Sequence, residues 1–199
     1  MKRFTAFALI LALMFGTGCA SSYTRGRNSG LGLELAAPGK SKVVFVRPGQ
    51  FMGDGVDFNV HDGDRLIGVV PGSSYFVYDC EPGHHLFSAS MEDIAIMEAD
   101  LLADRIYYAK VSSQLGVWIS RVNMYSLHPH CAGDLWPQLP KILADVKETI
   151  VTPAAVADDQ RGAANYMKRL EKHLSEHQGN PNREQILPEH GQPQPIVAR

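Results

Sequence analysis

Cysteine is scarce in this chain, with three among 199 residues, at positions 19, 80 and 131. The four-residue spacing of Cys80 and His84 matches no zinc finger or ribbon. Excess charge of one sign is also missing: 19 basic against 21 acidic residues leaves a formal net charge of −2, so there is no electrostatic footprint for nucleic acid. Long apolar runs are absent too. The one at the start, Phe4 to Phe15 broken only by Thr5, falls short of the ~20 residues that span a membrane. No Gly-x-Ser-x-Gly elbow raises a serine nucleophile. The Gly-Asp-Gly at 53–55 is too short to cradle phosphate, and its acidic neighbours repel one. Asp54, Asp57, Asp62 and Asp64 lack the ligand spacing of a calcium loop and are read as solvated turn acids. There is no internal repeat.

The first residues are informative. Met1-Lys2-Arg3 followed by an apolar run of this length is a secretory signal peptide. Next comes Gly16-Thr17-Gly18-Cys19, and small residues before a cysteine resemble the lipobox of bacterial lipoproteins. The resemblance implies cleavage after Gly18 and lipid (palmitate among its acyl chains) on Cys19; ordinary cleavage without lipid is the alternative. Ala20 rather than aspartate after the cysteine implies, by the same resemblance, an outer-membrane protein facing the periplasm. Loss of residues 1–18 removes two of the 19 basic residues and none of the 21 acids, moving the net charge from −2 to −4. It also leaves Cys80 and Cys131 as an even pair in an oxidising compartment, read first as a disulfide.

Residues 19–41 form a Ser-, Gly- and Arg-rich tether, in which Leu31, Leu33 and Leu35 could instead make a short edge strand. From Lys42 the pattern turns to β structure. "KVVFVR" is a β-branched run closed by Pro48-Gly49. "VDFNVHDGDRLIGVV" predicts a hairpin with Asp62-Gly63 at its turn. "SSYFVYD" is apolar on both faces, which predicts a central strand. "HHLFSAS", "DIAIMEADL", "DRIYYAKVSSQ" and "GVWISRVNMYSL" bring the count to about eight. The fold predicted for 42–136 is a small antiparallel β-sandwich, mainly β overall, followed by one or two C-terminal α-helices. Leu139, Ile142, Leu143, Val146 and Ile150 have helical spacing, and Thr152-Pro153 is read as ending that helix. A second helix over about 159–177, capped by Asp158 or Asp159, carries Ala163, Met167, Leu170 and Leu174 on one face. That face could pack on the domain, grip a partner or pair with a copy of itself. The helical extension covers 137–178, and the proline- and glutamine-rich tail 179–199 is expected to be disordered.

The order of signals between 42 and 126 resembles an uncharacterised domain-of-unknown-function family of bacterial envelope lipoproteins, and is similar in layout to PEGA-type β-sandwich domains. Arg47-Pro48, Asp62-Gly63, Ile67-Gly68, Tyr75-Phe76, Pro82-Gly83-His84 and Tyr107-Tyr108 carry the resemblance. It covers about 85 residues and implies a small β-sandwich in the envelope. Its members share no established activity, so no catalytic residue is implied.

Two histidine groups lie beside the cysteines: His84 and His85 after the Pro-Gly turn, and His128 and His130 before Cys131. If Cys80 and Cys131 bond, the groups converge, and a Cys/His constellation for zinc or copper is conceivable. The cysteines cannot serve both purposes, and the disulfide is the preferred expectation. Of the strand aromatics Tyr75, Phe76, Tyr78, Tyr107, Tyr108, Trp118 and Tyr125, about half would fill the core of a sandwich, and any left facing outward could take a sugar, a glycan strand or a peptide. The expected protein is therefore a membrane-anchored envelope lipoprotein, a non-enzymatic binding or structural module without a cofactor, with an envelope protein or a glycan as partner. The alternative is an envelope hydrolase or metal-binding protein using His84/His85 and His128/His130.

Overall fold

The computed structural model describes residues 22–25, 34–49, 55–91, 93–115, 120–131, 133–177 and 184–196. Cys19 and the expected signal peptide over 1–18 lie outside them, as do Leu31, Leu33, Asp54 and Trp118. Eleven strands are found among the described residues: β1 (Tyr23–Arg25), β2 (Ser41–Arg47), β3 (Phe58–Asp62), β4 (Arg65–Val70), β5 (Ser74–Cys80), β6 (Gly83–Ser90), β7 (Ile94–Leu101), β8 (Arg105–Leu115), β9 (Ser120–Leu127), β10 (Lys147–Val151) and β11 (Gln185–Ile186). Two helices, α1 (Leu135–Asp145) and α2 (Pro153–Glu176), and a 3-10 turn at Pro188–His190 complete the fold.

The strands form two sheets in a sandwich-like arrangement. One has the order β1-β10-β5-β2-β8-β9 and the other β11-β7-β6-β3-β4. The fold is mainly β, as the alternation implies, but not purely antiparallel as expected. β2 runs parallel to β8, β10 parallel to β5, and β11 parallel to β7. The reason lies in the connections: β10 and β11 arrive from helical or irregular segments rather than from hairpins, and only hairpins impose antiparallel neighbours.

Alternation sorts side chains between three apolar layers. Val43, Phe45, Phe76, Tyr107 and Val111 of the six-stranded sheet meet Phe58, Val60, Phe87 and Met97 of the five-stranded one in the central core. Val44, Val46, Tyr75, Ile106 and Tyr108 face the other way, onto Leu139 and Leu143 of α1. Ile94 and Ile96 of β7 pack on Tyr166 and Leu170 of α2. β2 and β5 contribute to two layers, so both read as continuous apolar runs rather than alternating ones.

Gly68 shows how closely the sheets approach. Phe45 and Phe76 stack at 4.9 Å between ring centroids, and a Cβ on Gly68 would collide with the Phe76 ring. A strand glycine here is thus a space requirement. Arg47 closes β2 from inside the protein: its guanidinium lies 4.4 Å from the Phe58 ring centroid and donates to the carbonyls of Val56 and Val70. This buried cation ties β2 to β4 and to the segment leading into β3.

The helical region departs most from its sequence pattern. The expected stripe ends at Val146, after which Lys147–Val151 is β10, and Ile150 is exposed rather than packed in a helix. Thr149 explains the strand: its hydroxyl donates to the carbonyl of Val69 at 2.8 Å, joining the two sheets. Thr152-Pro153 begins α2 rather than merely ending α1. The Thr152 hydroxyl accepts from the Ala155 N–H, and Pro153 takes the first helical position, where no N–H is needed. Of the predicted stripe on α2, Leu170 is buried and Met167 and Leu174 are partly buried against β6 and β7. The tail expected to be disordered is built into the fold over 184–196. Ile186 is 1% exposed in the central core, Gln192 bridges Ile106, and the Ile196 N–H donates to the Tyr108 hydroxyl at 2.7 Å.

Gly68→Ala should destabilise the protein by about 1–3 kcal/mol, the usual cost of an overpacked core. Urea denaturation of the variant against the parent chain measures this, and an unchanged midpoint would show that the Phe76 ring moves aside freely.

Candidate functional site

The stretch Asp79–Ala89 puts its histidines on β6, next to the β3–β4 turn. His84 is exposed and pairs with Asp100 at 2.9 Å. His85 is held on both sides: Nδ1–H donates to Asp62 Oδ2 at 2.8 Å and Nε2–H to the Glu81 carbonyl at 2.9 Å, while the ring stacks on Phe87. The Tyr78 hydroxyl donates to the same Asp62 oxygen at 3.0 Å. Two acceptors facing two ring nitrogens favour the imidazolium. Asp62 above all, then Cys80 and the Glu81 carbonyl, push its pKa up to about 10 against the effect of burial. Burial, then the Asp62 charge, raise the Tyr78 phenol. Asp62 is therefore no solvated turn acid but the shared acceptor of a half-buried Tyr–Asp–His cluster. Asp57 and Asp64 are exposed, as a turn acid should be.

A second polar cluster, which the sequence pattern did not disclose, joins α2 to the five-stranded sheet. His61 is 1% exposed; its Nε2–H donates to Asp159 at 2.9 Å and its ring stacks on Tyr166 at 4.0 Å. The Tyr166 hydroxyl donates to the Gly63 carbonyl at 2.9 Å and accepts from Ser88 Oγ–H at 2.7 Å. His61 Nδ1 is buried without a hydrogen-bond partner. The neutral ring fits this site, and burial holds its pKa below the usual histidine value despite Asp159.

The other histidine group has different neighbours. His128 stacks on His190 at 3.7 Å, with the rings 5° from parallel, and its Nδ1 accepts from the His130 N–H at 3.3 Å. His190 Nδ1 accepts from the Leu187 N–H at 3.1 Å and from Ser126 Oγ–H at 2.9 Å. Burial lowers the pKa of both stacked rings. Face-to-face imidazoles do not aim their lone pairs at a common point, and no group of three or more His, Cys, Asp or Glu suited to a metal is found among the described residues. The two histidine groups thus do not converge. Nor do the cysteines bond: both are free, with Cys80 on the central-core face of the six-stranded sheet and Cys131 in the layer under α1, across that sheet. Cys80 is set by alternation along β5, whereas Cys131 follows the end of β9 and is carried onto the α1 side of the sheet.

Beside Cys131 lies a groove of about 690 Å³ on the outer face of the six-stranded sheet. Alternation along β8 and β9 turns Lys110, Ser112 and Gln114 and, opposite them, Asn123 and Tyr125 onto its floor. His128, His130 and Leu135, the first residue of α1, make one wall. α1 covers the Tyr108 end of this face and leaves the hairpin end open. Tyr125 is 37% exposed, with the Lys110 ammonium 5.9 Å from its ring centroid. Tyr125 was one of seven strand aromatics whose individual facing the pattern left open; the polar strand residues around it were legible only as alternation.

No family model, no curated protein and no solved structure matches this chain. Among the described residues no helix is long and apolar enough to cross a membrane.

Two outcomes are expected. Intact-mass spectrometry of air-exposed protein under non-reducing conditions should find Cys80 and Cys131 unlinked, and a peptide pair joined through them would contradict the opposed faces. For His85, the raised folded-state pKa means that stability is fully present below the unfolded value near 6.5 and declines as pH rises through about 10. Thermal melts between pH 6 and 10 should therefore show a steady alkaline loss that is much reduced in His85→Gln.

Proposed function

We propose that this chain is an envelope lipoprotein, anchored by lipid on Cys19, whose sandwich domain works as a non-enzymatic binding module facing the periplasm. The N-terminal pattern Gly16-Thr17-Gly18-Cys19 behind an apolar run supports the anchor. The resemblance of residues 42–126 to envelope lipoproteins agrees with it and rests on sequence pattern alone. The observation that carries the binding role is the open polar groove beside α1, which gathers a cation, an aromatic ring and amide groups on a rigid sheet. By contrast, both ring nitrogens of His85 are committed to holding the β3–β4 turn and the Glu81 carbonyl, and the buried His61 spends its Nε2 on Asp159 of α2.

Cys19→Ala should move the protein from the membrane pellet to the soluble fraction; retention in the pellet would overturn the anchor. A photo-crosslinking residue at Gln114, in the groove, should give a discrete adduct in intact cells, and one at exposed Lys168 of α2 should not. Equal labelling from both positions would remove the groove as the binding surface.

A further inference from the structure

The Lys110 side chain is half-buried on the groove floor, and burial alone lowers its pKa. No salt bridge to it is found among the described residues, and its ammonium lies 5.9 Å from the Tyr125 ring centroid. A partly desolvated ammonium without a counter-ion is costly unless something anionic completes it.

The rest of the floor is not that of a phosphate site. It has one lysine, no arginine and an acidic rim at Glu184, which suits a single diffuse negative charge. Tyr125 offers an exposed ring. Asn123 Nδ2–H donates to Gln114 Oε1 at 3.4 Å, a bond that does not use the Gln114 amide N–H groups or the Asn123 side-chain oxygen. An aromatic face for ring C–H groups, amides for hydroxyl pairs and one cation form the complement of a carboxylated pyranose. We propose that the groove binds an acidic saccharide, with the sugar ring against Tyr125, its hydroxyls on Gln114 and Asn123, and its carboxylate on Lys110. This deepens the binding role proposed above and rests on it.

The test is calorimetric titration of the full mature chain in detergent with tri-galacturonic acid and with its methyl ester, which keeps the shape and loses the charge. The acid should bind about tenfold or more tighter than the ester, the usual worth of one charge-assisted hydrogen bond. Lys110→Met should abolish that preference while retaining weak binding, and Tyr125→Ala should weaken both ligands together. Equal affinity for acid and ester, no heat from either, or titrations unchanged in both variants would overturn the proposal. In those cases a Gln114 adduct in cells keeps the groove as a binding surface for another ligand class, whereas its loss ends both readings.

Discussion

The whole arrangement depends on the parallel pairing of β2 with β8, Ser41 opposite Arg105 through Val46 opposite Lys110. A parallel neighbour cannot be reached by a hairpin, so the chain between them must leave the sheet and come back. It does so usefully: β3 and β4 start the second sheet, β5 returns to the other edge of β2, and β6 and β7 enlarge the second sheet before β8 closes the circuit. β2 is thereby enclosed by hydrogen bonds on both edges and by apolar layers on both faces, and all seven of its residues are buried. The buried guanidinium of Arg47 is tolerable at its end because carbonyls from β4 and from the approach to β3 receive it, and an aromatic face covers it.

Around this centre, polar contacts decide how the outer pieces seat. α2 has a narrow apolar face, and burying Leu170 and parts of Met167 and Leu174 orients it only loosely. Asp159 on His61 and the Tyr166 hydroxyl between Ser88 and Gly63 fix its rotation and register on β3 and β6. The cluster of Tyr78, Asp62 and His85 does the same for the β3–β4 turn against β6. Each is a buried or half-buried network of specific hydrogen bonds, so each specifies geometry more than it adds net stability. The outer face of the six-stranded sheet is treated differently. α1 covers its apolar half, and the polar half beside it is left as the groove, where Lys110 is not matched in this way.

Much of this was legible along the chain. The hairpin at Asp62-Gly63 is present, with Gly63 at φ 59°. β5 lies between β2 and β10 as its two apolar faces imply. Other elements were hidden because their signals are short or are shared by two structures. Val146 and Ile150 fit a helical spacing, yet Ile150 belongs to a strand whose reason for existing is Thr149 and the neighbouring β5. The tail after 184 has the composition of a disordered segment, and it is tertiary contacts that hold it in place: the burial of Ile186, the pairing of Gln192 with Ile106, and the bonds of His190 to Ser126 and of Ile196 to Tyr108. His61, Asp159 and Tyr166 are up to 105 positions apart, and no local pattern links them.

Sequence alone determined the predominance of β structure, the turn at Asp62-Gly63, the central place of β5 and the apolar faces of both helices. These follow from periodicity, backbone preference and local motif, which act over a few residues. Tertiary structure alone decided which strands run parallel, which face each thiol occupies and which polar residues meet. Cys80 and Cys131 made a plausible pair until the sheet stood between them, and Lys110 was an ordinary strand residue until β9 and α1 built a groove around it. Such outcomes depend on contacts between residues far apart in the chain, and those contacts exist only once the two sheets have packed.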